Sequence, residues 1–100
     1  MENQHRKISG YRELSQEEID LMNRIKAKGS ELLELQYELD QMLRAQAGKK
    51  SLNAAANTSE YSEFDRFMSS EPLRWAEIGK TDIQTGIMAL VRAVAQPAGV

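Results

Sequence analysis

The residues best suited to chemistry lie in the first 29 positions of the chain. A basic run at residues 5–7 (His-Arg-Lys) precedes Tyr11 and Arg12, and Lys26 follows at the far end of the same segment. An aromatic ring can stack on a nucleobase, which is worth roughly 1–3 kcal/mol. A lysine ammonium supplies a point charge for a phosphate. The segment therefore suits a ligand that is both flat and anionic, such as a nucleotide.

A plainer interpretation of the same residues stays open. Tyr11 can serve as a hydrophobic staple at the entrance of a helix, and Lys26 as a solvated charge on its surface. A basic run at a terminus, such as the one that ends at Lys7, is usually just solvated. The residues alone favour this second interpretation.

A second cluster of candidate residues lies near position 72. A helix start there would offer free backbone N–H groups to an anion. Arg74 would add a guanidinium and Pro72 a flat apolar surface, while Lys80 and Thr85 would line the same groove or lie on ordinary surface. Trp75 is expected to anchor a core.

The composition argues against catalysis and against several classes of partner. The chain has one histidine, His5, no cysteine and no glycine-rich phosphate loop, so we expect no catalytic triad, metal site or cofactor. A net charge of -2 gives no basic field for long nucleic acid or an anionic membrane. The absence of thiols fits a reducing compartment, and no apolar run indicates a signal peptide or a bilayer span. A soluble cytosolic protein is the expectation.

The pattern of capping residues and apolar spacing divides the chain into helices. Residues 1–14 are expected to form an arm, and Ser15 with Glu18 forms a capping box that starts a long helix. We predict this helix over 15–47, a linker over 48–59, a short helix over 60–68 and a second long helix over 71–95. Ser69 or Ser70 is expected to cap the second long helix. Apolar residues at gaps of three, four or seven define one face of the first helix: Ile19, Met22, Ile25, Leu32, Leu35 or Gln36, Leu39 and Leu43.

These elements predict an all-α fold, a long antiparallel helical hairpin plus a short helix, in a single domain over 1–100. A two-helix seam rarely buries enough apolar surface for stability at this size. Surplus apolar residues near Val91 therefore predict self-association into a symmetric homo-oligomer. Glycines 29, 79 and 86 are expected at close helix approaches, within the hairpin or between protomers.

The amino-acid sequences of two segments resemble those of a known family. The motif HRKxxGYRELSQEEIDLMN at residues 5–23 and the stretch RWAEIGKTDIQTGIMALVRAVAQP at residues 74–97 are similar to phage anti-CBASS proteins. These are helical hairpins that sequester cyclic oligonucleotide signals, and phage Thoeris anti-defence sponges share the hairpin. The resemblance does not extend clearly over residues 36–70.

The resemblance implies a homohexamer that binds cyclic dinucleotides, 3′,3′-cGAMP among them, between protomers without degrading them. Tyr11 and Lys26 correspond to the aromatic residue and cation of the dinucleotide pocket, with Arg12 and Lys7 beside them, which reverses the preference reached from the residues alone. Pro72 corresponds to a pocket for cyclic trinucleotides such as cyclic tri-adenylate. Glu71 stands where a basic residue is expected, and Arg74 or Lys80 is the candidate to replace it, with Thr85 as a further candidate for the same pocket.

The same resemblance implies a protein that acts in the cytoplasm of an infected bacterium and keeps CBASS effectors inactive. The main alternative is a helical adaptor that binds a partner protein, which would leave Tyr11 and the basic run unexplained. A nucleic-acid-binding oligomer and a nuclease that degrades the signal are further alternatives. The acidic net charge argues against the first, and the lack of a metal or general-base set argues against the second.

Overall fold

The computed structural model describes residues 12–98, and this part of the chain is built from helices without a strand. Helix α1 spans Gln16–Ala56, a 3₁₀ turn spans Thr58–Glu60, α2 spans Tyr61–Ser69 and α3 spans Pro72–Ala95. The expected all-α class with two long helices is confirmed. The predictions made for Lys7 and Tyr11 lie outside the described residues. None of the helices in the described part is long and apolar enough to cross a membrane.

The chain forms two compact units, and each contains a length of α1 and a length of α3. The described part of the first unit comprises residues 12–31 and 83–98, and the second unit comprises Leu32–Asp82. In the first unit the two lengths run antiparallel, because Arg12 contacts Val94 whereas Gly29 faces Ile87.

The start of α1 is the capping box expected from the sequence. The Ser15 backbone N–H donates to Glu18 Oε1 at 2.9 Å, and the Glu18 N–H donates to Ser15 Oγ at 3.2 Å. Each side chain thus satisfies a backbone N–H that the first turn of a helix leaves without a partner. Glu17 and Glu18 also place negative charge at the positive end of the helix dipole.

The end of α1 differs from the prediction. A linker was expected over 48–59, but α1 continues through Ala56, so the prediction was wrong for residues 48–56. The Lys50 ammonium explains much of this, because it lies 2.9 Å from Glu63 Oε2 and 5.7 Å from the centre of the Phe67 ring. These contacts tie the last turns of α1 to α2. Three alanines at 54–56, the best helix formers, complete the helix.

The lower end of the apolar face on α1 also differs from the prediction. In the second unit, Leu32, Leu35 and Leu39 are between 42% and 59% exposed. The half-buried positions lie one residue further along the chain: Leu33, Gln36, Asp40 and Leu43. Gln36 shows why, because its Nε2 donates at 3.0 Å to the carbonyl of Ala76, a buried residue of α3. The predicted face therefore combined two neighbouring stripes, and only one of them faces α3.

Gly29 is buried where α1 meets α3 in the first unit. A Cβ atom built on Gly29 would overlap Cδ1 of Ile87 and lie 2.6 Å from its Cγ1. This close approach confirms the role expected of Gly29. A Cβ built on Gly79 or Gly86 would meet nothing within 4 Å, so their proposed approach between protomers stays a prediction.

The junction between α2 and α3 corrects the expected cap of the second long helix. Ser70 ends α2 instead, because its N–H donates to the Arg66 carbonyl and its Oγ to the Phe67 carbonyl. Glu71 then turns the chain with φ at 53°, in the left-handed region that favours glycine. Trp75 was expected in a core, but it is 60% exposed, because Ala76 occupies the buried position. The Arg74 guanidinium lies 5.3 Å from the centre of the Trp75 ring.

We expect Glu71→Gly to raise the free energy of unfolding by about 1 kcal/mol, because glycine removes the cost of the left-handed backbone. Glu71→Ala is the matched control. It deletes the same carboxylate, which lies 3.8 Å from Arg74, but keeps the Cβ. Urea unfolding at one fixed protein concentration measures both variants. A gain as large in Glu71→Ala would mean that charge, and not backbone conformation, is responsible.

Candidate functional site

A cavity of about 460 Å³ opens in the first unit, beside the start of α1. Residues 12–14, the first three turns of α1 and the last turns of α3 form its walls. The walls are mostly apolar, and the polar groups are few. We call it the Lys26 cavity, and its lining residues are Arg12, Glu13, Leu14, Ile19, Met22, Lys26, Val91 and Ala95. Its size falls in the range of sites for small ligands.

A second cavity, of about 370 Å³, adjoins the Lys26 cavity. The two share Lys26, Val91 and Ala95, so the Lys26 side chain stands in the wall of both. The rest of the second cavity is formed by α3 and the residues after it: Ile87, Met88, Arg92 and Pro97. Its lining within the described part of the chain holds two cations and no carboxylate, which favours an anionic ligand.

The charged groups of the Lys26 cavity differ in how far they are committed to other residues. The Lys26 ammonium is exposed and has no ion-pair partner within residues 12–98. The Glu13 carboxylate is also exposed, and no hydrogen bond joins it to another described residue. Lys26 is thus a cation available to a phosphate, in a wall that offers apolar surface to a base.

Most of the Arg12 guanidinium is engaged within the chain. Its Nη2 donates to Glu18 Oε2 at 2.6 Å and to the Val94 carbonyl at 2.8 Å, and its Nη1 lies 3.4 Å from Glu18 Oε1. The hydrogen bonds from Arg12, followed by those from Ser15, lower the pKa of Glu18 to about 2. The carboxylate therefore stays charged throughout the neutral range. We call this arrangement of Arg12, Glu18 and Val94 the Arg12 latch.

The structure does not bring the second group of candidate residues together. Arg74 lines an open cavity of about 400 Å³ in the second unit, with Ile78, Thr81 and two acidic residues, Glu77 and Asp82. Pro72, Lys80 and Thr85 do not line it. Pro72 and Arg74 are two positions apart on α3, which places them about 200° apart around the helix axis. The acidic lining also makes this cavity a poor match for an anion within a single chain.

Several residues of the two cavities carry no signal in the sequence. Met22, Val91 and Ala95 are ordinary apolar positions of a helical stripe, and only the packing of α1 on α3 turns them into walls. Arg92 could have been singled out, because it stands four residues after Met88 on the same face and near the end of α3. Across residues 12–98, no group of three or more His, Cys, Asp or Glu side chains is placed to hold a metal ion.

Comparison with known proteins gives the chain its family. The model of the Acb2/Tad1 hairpin domain matches residues 5–95, which includes α1, α2, α3 and the residues that line the Lys26 cavity. A curated relative, "Anti-CBASS protein 2" of Pseudomonas phage JBD67, is 58% identical over 107 aligned positions. That alignment covers 99% of this chain and 99% of the relative. The chain belongs to the Acb2/Tad1 hairpin-domain family.

Proposed function

We propose that this protein is a phage-encoded sponge that binds cyclic oligonucleotide second messengers, holds them intact and so keeps CBASS effectors inactive. The observation that carries the proposal is the uncommitted Lys26 ammonium between two adjoining, mostly apolar cavities. The near full-length relative named as an anti-CBASS protein supports the same role. The site of action would be the cytoplasm of the infected host, where the signal is made.

The chemistry of the two cavities fits a cyclic dinucleotide such as 3′,3′-cGAMP. One phosphate would lie against Lys26, and the apolar surface around Val91 and Ala95 would cover the sugar and the base. Tyr11 would stack on a base and Lys7 would reach a phosphate. Nanomolar affinity corresponds to about -12 kcal/mol, which one charge-assisted contact cannot supply alone. Stacking and apolar burial must therefore contribute most of the binding free energy.

The proposal needs no acid, base or metal. A sponge works by affinity and copy number, so a non-enzymatic protein is part of the same hypothesis. A cyclic trinucleotide site at Pro72 rests on the family resemblance. With Glu77 and Asp82 beside Arg74, such a site would need cations from another protomer.

Self-assembly, with a homohexamer as the specific proposal, is supported by apolar surface that the single chain leaves uncovered. Leu32, Leu35, Leu39 and Met42 follow one another at gaps of three and four, and each is 42% to 59% exposed. That spacing is typical of a helix seam that packs against another helix. Light scattering coupled to gel filtration would give the mass of the assembly. A mass of one protomer at micromolar concentration would reject this part of the proposal.

The test of function is titration calorimetry with a cyclic guanosine–adenosine dinucleotide, followed by chromatography of the ligand released when the protein is heat-denatured. We expect tight binding and the release of intact ligand. Recovery of linear product would indicate an enzyme instead. Absence of heat at micromolar protein, with the dinucleotide and with a cyclic trinucleotide, would reject the sponge and favour the adaptor, whose partner would dock on the exposed leucine stripe.

A further inference from the structure

Arg12 has little capacity left for a ligand. A guanidinium carries five N–H donors. Three of them point to Glu18 and Val94, and the Nε atom is buried without an acceptor among residues 12–98. One Nη1 hydrogen is left. Arg12 lines the Lys26 cavity, but most of its donors are already used. It is therefore a poor candidate for direct phosphate binding.

The partners of Arg12 lie at the two helix ends that bound the cavity. Glu18 belongs to the capping box at the start of α1, and the Val94 carbonyl belongs to the last turn of α3. Carbonyls in the last turn of a helix lack a partner within the helix, and a cation there also favours the negative end of the dipole. The latch therefore joins the start of α1 to the end of α3 through a residue that precedes both.

The residues that follow Arg12 are held by the same contacts. Glu13 and Leu14 line the Lys26 cavity, and they lie between Arg12 and the Ser15 cap. With both ends of this short segment fixed, its place in the wall of the Lys26 cavity is fixed as well. Without the latch, nothing in the described contacts fixes residue 12.

We propose, on the basis of the proposed function, that Arg12 is a positioning residue: the Arg12 latch holds residues 12–14 as the wall of the Lys26 cavity, and the ligand's phosphate is bound by Lys26 and not by Arg12.

Removing the Glu18 charge should change ligand affinity in opposite directions under the two roles of Arg12, positioning and direct contact. If Arg12 touched the phosphate, Glu18→Gln would remove a competing negative charge and would tighten the binding of an anion. Because Arg12 acts through the latch, Glu18→Gln loosens the wall and weakens binding. Glutamine can still complete the capping box, so the start of α1 is kept. Glu17→Gln is the matched control, since it deletes the same charge one position away and leaves the latch intact.

The experiment measures the affinity of Arg12→Lys, Glu18→Gln, the double variant and Glu17→Gln for the cyclic guanosine–adenosine dinucleotide. We expect each latch variant to lose affinity on the order of tenfold, within the range by which residues of one hydrogen-bond network are coupled. Lysine should not rescue Arg12, because one ammonium cannot reproduce the planar fork. The double variant should bind no more weakly than the worse single variant, and Glu17→Gln should bind as well as the native protein. Tighter binding by Glu18→Gln, or full rescue by Arg12→Lys, would overturn the proposal.

A readout without ligand keeps the latch testable if the proposed function fails. Met22 lines the Lys26 cavity and Met42 lies in the other unit, so methyl spectra of methionine-labelled protein report on both places. Arg12→Lys and Glu18→Gln should shift the Met22 methyl in the same direction and leave Met42 in place. Failure of the native protein to bind would then reject the sponge alone. An unmoved Met22 methyl in both variants would reject the latch as a wall of the cavity.

Discussion

Gly29→Ala is expected to lower the free energy of unfolding by about 1–3 kcal/mol, the usual cost of overpacking a tight contact. The added methyl would overlap Cδ1 of Ile87 and would lie 2.6 Å from its Cγ1, so the whole isoleucine side chain must move. Alanine gains helix propensity of about 1 kcal/mol over glycine, which offsets part of the loss. Chemical denaturation at fixed protein concentration measures the difference.

Gly48→Ala is the matched control for Gly29→Ala. Gly48 lies in the same helix, and a Cβ there would meet nothing within 4 Å, so this variant should gain up to about 1 kcal/mol. Ile87→Val in the Gly29→Ala background removes the overlapping Cδ1 and should recover part of the loss. If Gly29→Ala were as stabilising as Gly48→Ala, α1 and α3 would not approach closely at this point.

The same substitution should also change the shape of the proposed ligand site. Ile87 lines the second cavity together with Lys26, so an isoleucine displaced by a methyl at position 29 changes the shape of that cavity. We therefore expect Gly29→Ala to weaken ligand binding as well as folding. Gly29 couples the packing of the first unit to the geometry around Lys26.

Local features of the fold were readable in the sequence, and distant ones were not. The capping box of Ser15 and Glu18 spans three residues, and its chemistry is complete within them. The contact of Arg12 with Val94 joins residues 82 positions apart, and no local sequence pattern predicts it. The prediction for the end of α1 was wrong for the same reason. The Lys50–Glu63 contact that holds the last turns of α1 joins two different helices.

Periodicity was also too coarse to choose between the two stripes of α1. Leu32 and Leu33 satisfy the same three–four spacing with an offset of one residue, and only the position of α3 decides which is half-buried. The prediction that Trp75 anchors a core was wrong, although a large aromatic residue usually fills one. Here the small Ala76 lets the Gln36 amide reach the backbone of α3, which no hydrophobic scale anticipates.

The candidate site was predictable only in part. Lys26 was a candidate from its residue type, the family resemblance favoured it, and it lies in the walls of two cavities. Its apolar surroundings, Val91 among them, could not be told from any other helical stripe. The contact of Arg12 with the ligand stays a prediction, and three of its five N–H donors point to Glu18 and Val94. Residue type alone could not show these hydrogen bonds, on which the proposed supporting role of Arg12 rests.

Lys26→Met should reduce affinity for a cyclic dinucleotide by about 10- to 150-fold, the range expected when a charge-assisted contact worth roughly 1.5–3 kcal/mol is lost. Methionine keeps the unbranched apolar stem that lines both cavities and deletes the charge. Folding stability should change by no more than about 0.5 kcal/mol, because the ammonium is exposed and has no ion-pair partner within residues 12–98. Calorimetry and thermal unfolding of the same samples separate the two effects.

Lys28→Met is the matched control, since it deletes the same charge two positions along α1 and therefore on another face of the helix. Lys28 is 81% exposed, lies 3.7 Å from Glu31 and lines neither cavity. Its loss should leave affinity within about twofold, because a surface charge facing solvent is screened by salt. Raising the salt concentration should weaken ligand binding by the native protein more than binding by Lys26→Met. The variant has already lost the charge that salt screens. Equal losses in Lys26→Met and Lys28→Met would mean that ligand is attracted by the general charge of α1 and not by a site built around Lys26.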